Sequence, residues 1–136
     1  MSYDRTLLGD GRYPDTGPLA VLARLAFLGA VVAIVVAVFL PPWMVPDFVK
    51  STYLQHFAAF YCAALAGLAA MPRRRLRSIA VGFFVFATVL EASHLLSGAR
   101  FAALVDNWVA DLGGLAAAFA PIIVERFRRR FARVDR

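Results

Sequence analysis

Four long apolar runs dominate this sequence and limit what it can fold into. They cover about residues 18–40, 52–71, 78–96 and 101–124, so each run has 19 to 24 residues. At ~1.5 Å of rise per residue, a helix of this length crosses the ~30 Å hydrocarbon core of a bilayer. We therefore predict an all-α, polytopic membrane protein with four transmembrane helices in a small bundle.

The composition supports this interpretation and excludes an ordinary soluble domain. Hydrophobic residues make up 61% of the 136-residue chain and charged residues 18%, against roughly 45–50% and about 25% in soluble globular domains. The net charge of +6 comes from arginines that flank the apolar runs, and no basic groove with interleaved aromatics is present. Arginines in such positions typically set the orientation of the spans in the membrane and contact anionic lipid. We therefore predict no nucleic-acid partner.

The segments outside the runs separate the spans. Residues 1–17 are polar and predict a loosely ordered tail. Pro41 and Pro42 end the first helix because proline lacks a backbone donor and restricts the residue before it. Ser97-Gly98 breaks the third run from the fourth. Residues 125–136 are basic, and Phe127, Phe131 and Val134 recur at helical spacing, which predicts an amphipathic helix on the membrane surface where the arginines contact anionic lipid.

Arginine and lysine placement predicts the orientation. With a cytoplasmic N-terminus, thirteen of these residues lie on the cytoplasmic side, and only Lys50 and Arg100 lie on the outer side. Cytoplasmic loops carry an excess of basic residues. We therefore predict that both termini are cytoplasmic and that the protein is a multi-pass protein of a bacterial cytoplasmic membrane.

Polar side chains collect on one side of the predicted bundle. In this topology they all fall in the outer half of the bilayer, whereas the inner half is almost purely apolar. Each such group in lipid is costly unless it is paired, so they are the candidate site. The candidates are His56, Glu91, His94, Arg100, Asp106, Asn107 and Asp111.

Helical spacing predicts which of these side chains meet. Glu91 and His94 are three residues apart and share one side of the third helix. Asn107 and Asp111 share one side of the fourth helix. We expect Arg100 to bridge Glu91 or Asp106, with the histidines donating to the remaining carboxylates.

Small residues predict where helices approach closely. Ala59, Ala63 and Gly67 recur every four residues along the second span, and such a stripe admits another helix at short distance. Gly114 follows Asp111 on the same face of the fourth span and is a further predicted packing position.

These residues resemble the VanZ-like family of small membrane proteins, over roughly residues 50–120. Thr52-Tyr53 replace the family's usual Asp-Lys, His94 replaces a Gln, and Asp111 stands for an Asn. The resemblance implies a bacterial inner-membrane protein that acts at the cell envelope, since the naming member is associated with low-level resistance to teicoplanin. The matching positions are His56, Glu91, Arg100, Asp106 or Asn107, Asp111 and Gly114.

Three functions stay open on the sequence. The first is a non-catalytic protein whose outward polar cluster binds a lipid-linked or lipophilic envelope molecule, the alternative being that the cluster only locks the helices together. The second is a metal-dependent membrane enzyme, since Glu91-x-x-His94 has the spacing of a bundle ligand pair that His56 and Asp111 would complete. The third is an assembly subunit that uses the Ala59/Ala63/Gly67 stripe and the basic tail. The first is favoured, so the predicted protein is not an enzyme and has no cofactor and no resident metal.

Overall fold

The chain folds into four long helices joined by short connections. A computed structural model describes residues 13, 15–46 and 48–132. The helices are α1 (Pro18–Phe39), α2 (Thr52–Ala70), α3 (Leu76–Leu96) and α4 (Phe101–Phe131), with one 3-10 turn at Pro42–Met44 between α1 and α2. All four are long and apolar enough to cross a membrane. The prediction of an all-helical chain with four helices long and apolar enough to span a membrane is therefore confirmed, and the described residues contain no strand.

Local sequence signals set most of the helix ends. Pro18 occupies the first turn of α1. Backbone N–H groups in the first turn of a helix have no acceptor within the helix, so the missing N–H of proline costs no hydrogen bond there. The Ser51 side chain caps α2 by accepting from the backbone N–H of Leu54 at 3.3 Å. Gly98 has a φ of 86°, a left-handed conformation that glycine adopts without strain, and it turns the chain from α3 into α4.

The outer surface of the bundle is apolar. Only 11% of the most hydrophobic stretch of α1 is buried inside the protein, and Leu22, Leu25 and Leu28 are each 60% exposed or more. A soluble monomer rarely exposes a continuous apolar surface of this kind. The surface is therefore suited to contact with lipid, as expected of a multi-pass membrane protein.

Contacts between helices define their relative directions. His56 of α2 lies beside Asp111 of α4, and Phe57 of α2 lies beside Gly114, so α2 and α4 run parallel. Gly67, near the end of α2, meets Phe27 of α1 and Phe83 of α3. In α3, Phe83 precedes Glu91, which lies beside His56 at the start of α2. Tyr13, which precedes α1, contacts Ala69 at the end of α2. Helices α1 and α3 therefore run antiparallel to α2 and α4.

The closest helix–helix contact is made at Gly114. A methyl group at this position would overlap the carbonyl oxygen of Phe57 and lie 2.9 Å from the backbone nitrogen of Tyr61. The α2 backbone therefore lies directly against the α4 backbone, which only a glycine permits. The contact holds His56 and Asp111 at the same level of the bundle.

The predicted stripe on α2 packs differently. Ala63 is fully buried and Ala59 is partly buried. At Gly67, however, the nearest atoms that an added methyl group would meet are the ring carbons of Phe83 at 3.0 Å and of Phe27 at 3.2 Å. The C-terminal part of the stripe thus accommodates aromatic rings from two helices rather than the backbone of one.

Helix α4 extends beyond the predicted fourth span. It continues without interruption from Phe101 to Phe131 and includes Pro121, whereas the predicted span ended at residue 124. Glu125 and Arg129 form an ion pair at 2.6 Å along the extension. The first part of the predicted amphipathic tail is therefore helical and continuous with α4, while residues 133–136 lie outside the described residues.

The N-terminal segment contacts the α2–α3 connection. The Tyr13 hydroxyl donates to the carbonyl oxygen of Ala69 at 2.5 Å, and Arg73 pairs with Asp15 at 2.8 Å. The start of α1 and the arginines that follow α2 therefore lie at one end of the bundle, away from His56. Most of the predicted tail 1–17, including Arg5 and Arg12, lies outside the described residues.

Candidate functional site

The helical frame brings four ionisable side chains together near the start of α2, the end of α3 and the first half of α4. Two acids are almost inaccessible, with Asp111 at 0% and Glu91 at 5% exposure. The side chains of His56 and His94 remain about a quarter exposed. We call His56, Glu91, His94 and Asp111 the polar cluster.

His56 connects the two acids. Its Nδ1 lies 2.9 Å from Asp111 Oδ1 and 3.8 Å from Glu91 Oε1. The first distance is a hydrogen bond between α2 and α4, and the second brings the carboxylate of α3 to the same ring nitrogen. One histidine therefore links three helices at a single point.

His94 contacts the opposite side of Glu91. Its Nδ1 lies 3.3 Å from Glu91 Oε2, the oxygen that does not face His56. Because the two residues are three apart on α3, this contact follows from helical spacing. Glu91 is thus held between two imidazoles, one on its own helix and one on α2.

Asp111 has one oxygen without a described partner. Oδ1 bonds to His56, whereas Oδ2 is buried and accepts no hydrogen bond from the described part of the chain. A buried polar atom without a partner is costly and calls for an explanation, such as a proton, a water or an ion. This oxygen is the one atom of the cluster that is buried and has no hydrogen-bond partner among the described residues.

The structure places the other three predicted site residues outside the cluster. Arg100 and Asp106 are exposed near the start of α4, and Asn107 is partly buried beside them. The expected bridge from Arg100 to Glu91 or Asp106 is not among the ion pairs of the described residues, and this expectation is wrong. Arg100 precedes the first turn of α4 and its side chain is exposed, whereas Glu91 is buried and is contacted by two histidines.

The composition of the cluster is therefore acidic. It contains two carboxylates and two imidazoles, and no lysine or arginine pairs with it among the described residues. Carboxylate oxygens and imidazole nitrogens of this kind bind hydrogen-bond donors and metal cations.

A hydrogen bond that the sequence reasoning missed joins α3 to α4 next to the cluster. Trp108 Nε1 donates to Thr88 Oγ1 at 3.1 Å, and the Trp108 ring packs edge-on against Phe84 at 5.8 Å. Thr88 lies three residues before Glu91, and Trp108 three residues before Asp111. The helical spacing of these two pairs was the available signal, because residues three apart share a helix face.

The structure also contains an apolar groove that the sequence did not predict. It lies between α1 and α3 at the opposite end of the bundle and has a volume of about 460 Å³. Arg74 lies at its rim, and Phe27, Phe83 and Phe86 form much of its wall. The groove involves none of the polar cluster.

No protein-family model, curated protein or solved structure matches this chain.

Proposed function

We propose that this chain is a VanZ-like, non-catalytic protein of a bacterial cytoplasmic membrane. Both termini are cytoplasmic in this proposal, and the polar cluster faces the cell envelope. There it binds or modulates a lipid-linked or lipophilic envelope molecule, as in a glycopeptide-resistance type of role. The observation that carries the proposal is the buried pair Glu91 and Asp111, held against His56 within an otherwise apolar bundle.

The energetics favour a binding role over a purely structural one. Hydrogen bonds between helices in membranes average only about 0.6 kcal/mol. Burying two carboxylates costs several kcal/mol unless each is paired or protonated. The gain in stability is therefore small beside the cost, and a ligand that satisfies Asp111 Oδ2 gives a better account of the cluster.

No arginine among the described residues contacts the cluster, and this changes the expected ligand. An arginine beside the acids would suit a phosphate or carboxylate headgroup. The observed set of two acids and two histidines suits a positively charged or hydrogen-bond-donating group, such as an amine or a sugar hydroxyl. We therefore propose that the group that enters the cluster is a donor, while the apolar part of the molecule stays in lipid.

The proposal is tested by binding to the purified protein. The protein is incubated in detergent with a total lipid extract of bacterial envelopes and is purified again, and the retained molecules are identified by mass spectrometry. We expect the wild-type protein to retain a specific molecule that Glu91→Ala and Asp111→Ala lose. Asp106→Ala is the matched control, because Asp106 is an exposed acid on α4 outside the cluster.

A cellular measurement complements this experiment. Strains that produce equal amounts of the wild-type protein and the three variants are compared for envelope phenotypes, including sensitivity to lipoglycopeptides. If Glu91→Ala and Asp111→Ala are made normally and keep the wild-type phenotype and the wild-type set of retained molecules, the cluster is a structural lock and the proposal is wrong.

A further inference from the structure

The ligand atoms of three residues in the polar cluster lie close enough together to surround one ion. One nitrogen of His56 and one carboxylate oxygen each of Glu91 and Asp111 lie within 4.8 Å of one another. They come from α2, α3 and α4 respectively. Each helix is fixed by packing, so the three atoms are held in place by the bundle and not by a flexible loop.

Two of the three distances between these atoms approximate those around a small divalent metal. With metal–ligand bonds of ~2.0–2.2 Å and tetrahedral angles, neighbouring ligand atoms are about 3.3–3.6 Å apart. The observed separations from His56 Nδ1 are 2.9 Å to Asp111 Oδ1 and 3.8 Å to Glu91 Oε1. An increase of about 0.4 Å in the first distance and a decrease of about 0.2 Å in the second would bring both into this range.

The charge of the acids and the unpartnered oxygen of Asp111 also favour a divalent metal ion at this position. Two carboxylates neutralise a divalent ion, which removes most of the cost of keeping either the acids or the ion away from water. Asp111 is fully buried, and its Oδ2 accepts no hydrogen bond from the described residues. A metal bound by this carboxylate would satisfy that oxygen directly or through a bound water.

We infer that His56, Glu91 and Asp111 form a binding site for one divalent transition-metal ion, of the kind that accepts mixed nitrogen and carboxylate ligands, such as Zn²⁺ or Mn²⁺. His94 is a positioning residue in this site. It contacts Glu91 Oε2 at 3.3 Å and leaves Oε1 directed towards His56. The inference concerns binding only. It uses the same polar cluster as the proposed function, and the metal ion and the hydrogen-bond-donating group are alternative partners of Asp111 Oδ2.

The test measures metal content. Full-length protein carrying a tag without histidine is purified in detergent, stripped with a chelator, reloaded separately with ZnCl₂ and MnCl₂, and desalted. Elemental analysis then gives the ratio of metal to protein. We expect about one ion per chain in the wild-type protein and none above background in Asp111→Asn, Glu91→Gln and His56→Gln. Asp106→Asn is the matched control and keeps the wild-type content.

Two further measurements distinguish a metal site from a merely structural cluster. Cobalt(II) is expected to give a visible absorption band of a low-coordinate complex with the wild-type protein and not with His56→Gln. His94→Gln is expected to bind metal about 10- to 100-fold more weakly, as is typical when a residue that orients a ligand is lost. Helical circular dichroism and size-exclusion profiles verify that each variant is folded.

The possible results separate failure of the metal inference from failure of the proposed function. A wild-type protein that retains no more metal than Asp111→Asn, and that shows no cobalt band, overturns the inference and leaves the cluster protonated or bound to an organic donor. If the wild-type protein retains an envelope molecule but no metal after reloading, the proposed function is supported and this inference fails. Retention of metal without any envelope molecule would support the inference while the proposed function fails.

Discussion

Asp111 is the residue on which the arrangement of the cluster depends most. It is fully buried, it bonds to His56 at 2.9 Å, and its second oxygen has no partner among the described residues. In metal-free protein, Asp111→Asn keeps a hydrogen-bonding side chain of the same shape and removes the charge. We expect this change to alter the free energy of unfolding by no more than about 1.7 kcal/mol, the upper range for one interhelical hydrogen bond.

The measurement is reversible unfolding in mixed micelles with a chelator present, and Asp106→Asn is the reference for loss of an exposed acid from the same helix. A destabilisation of about 3–5 kcal/mol, which is typical of breaking a buried ion pair, would contradict the expectation. The cluster would then be primarily a structural lock.

Gly114 is the residue that sets the distance between α2 and α4. Since an added methyl group would overlap the Phe57 carbonyl oxygen, Gly114→Ala forces the two backbones apart. We expect destabilisation by about 1–3 kcal/mol, as for other overpacking substitutions, and weaker contact between His56 and Asp111. Unfolding in mixed micelles measures the first effect, and ligand or metal retention measures the second.

A second glycine supplies the control. Gly82 lies in α3 with nothing within 4 Å of the position of an added methyl group. Gly82→Ala is therefore expected to be neutral, or stabilising by up to about 1 kcal/mol through helix propensity. Equal effects of the two substitutions would show that the close contact at Gly114 is not what holds α2 against α4.

At the scale of helices, α4 is longer than a membrane requires. Its 31 residues span about 46 Å at ~1.5 Å per residue, which exceeds the ~30 Å core. We expect the last turns to extend into water along the direction of α4. Single cysteines at positions 127, 128, 130 and 131, in a Cys62→Ala background, should then react at similar rates with a membrane-impermeant maleimide.

Sheared membrane fragments are the sample, because both membrane faces are then accessible. Slow reaction at 127 and 131 with fast reaction at 128 and 130 would contradict a straight extension. The helix would instead bend at Pro121 and lie on the surface with Phe127 and Phe131 in lipid.

The helices show which parts of the fold are predictable from sequence. Hydrophobic length and breakers such as Pro41, Pro42 and Gly98 are local signals, so the boundaries of the first three spans agree with the structure within two residues. The end of α4 differs because residues 125–131 continue the helix without interruption, whereas the sequence predicted a separate helix on the membrane surface. Hydropathy alone cannot distinguish a helix that leaves the membrane from one that stops.

The candidate site was predictable from sequence only where local helical spacing determines the position of a side chain. The faces that carry Glu91, His94 and Asp111 follow from helical spacing, and the structure brings these residues together with His56. The position of Arg100 depends instead on how the α3–α4 connection folds, which spacing does not define. The groove beside Phe27 and Phe83 depends on the packing of α1 against α3, which is a tertiary property.

At the scale of the whole molecule, most of the basic residues that the structure describes lie at the end of the bundle opposite the polar cluster. Arg73 contacts Asp15 beside the start of α1, whereas His56 and Glu91 lie near the other end, beside the α1–α2 and α3–α4 connections. Of the fifteen basic residues, only Lys50 and Arg100 belong to those two connections. Because basic residues favour the cytoplasmic side, the cluster should face away from the cytoplasm.

Reporter fusions test this orientation. A fluorescent protein that folds only in the cytoplasm is expected to fluoresce when fused after Arg136 or inserted in the α2–α3 connection at residues 71–75. Alkaline phosphatase, which is active only outside the cytoplasm, should be active when inserted at residues 97–100 and inactive after Arg136. The opposite pattern would place the polar cluster at the cytoplasmic face and rule out a ligand that enters from the envelope. The metal site would be unaffected by that result, since its three ligands depend on helix packing and not on which side of the membrane they face.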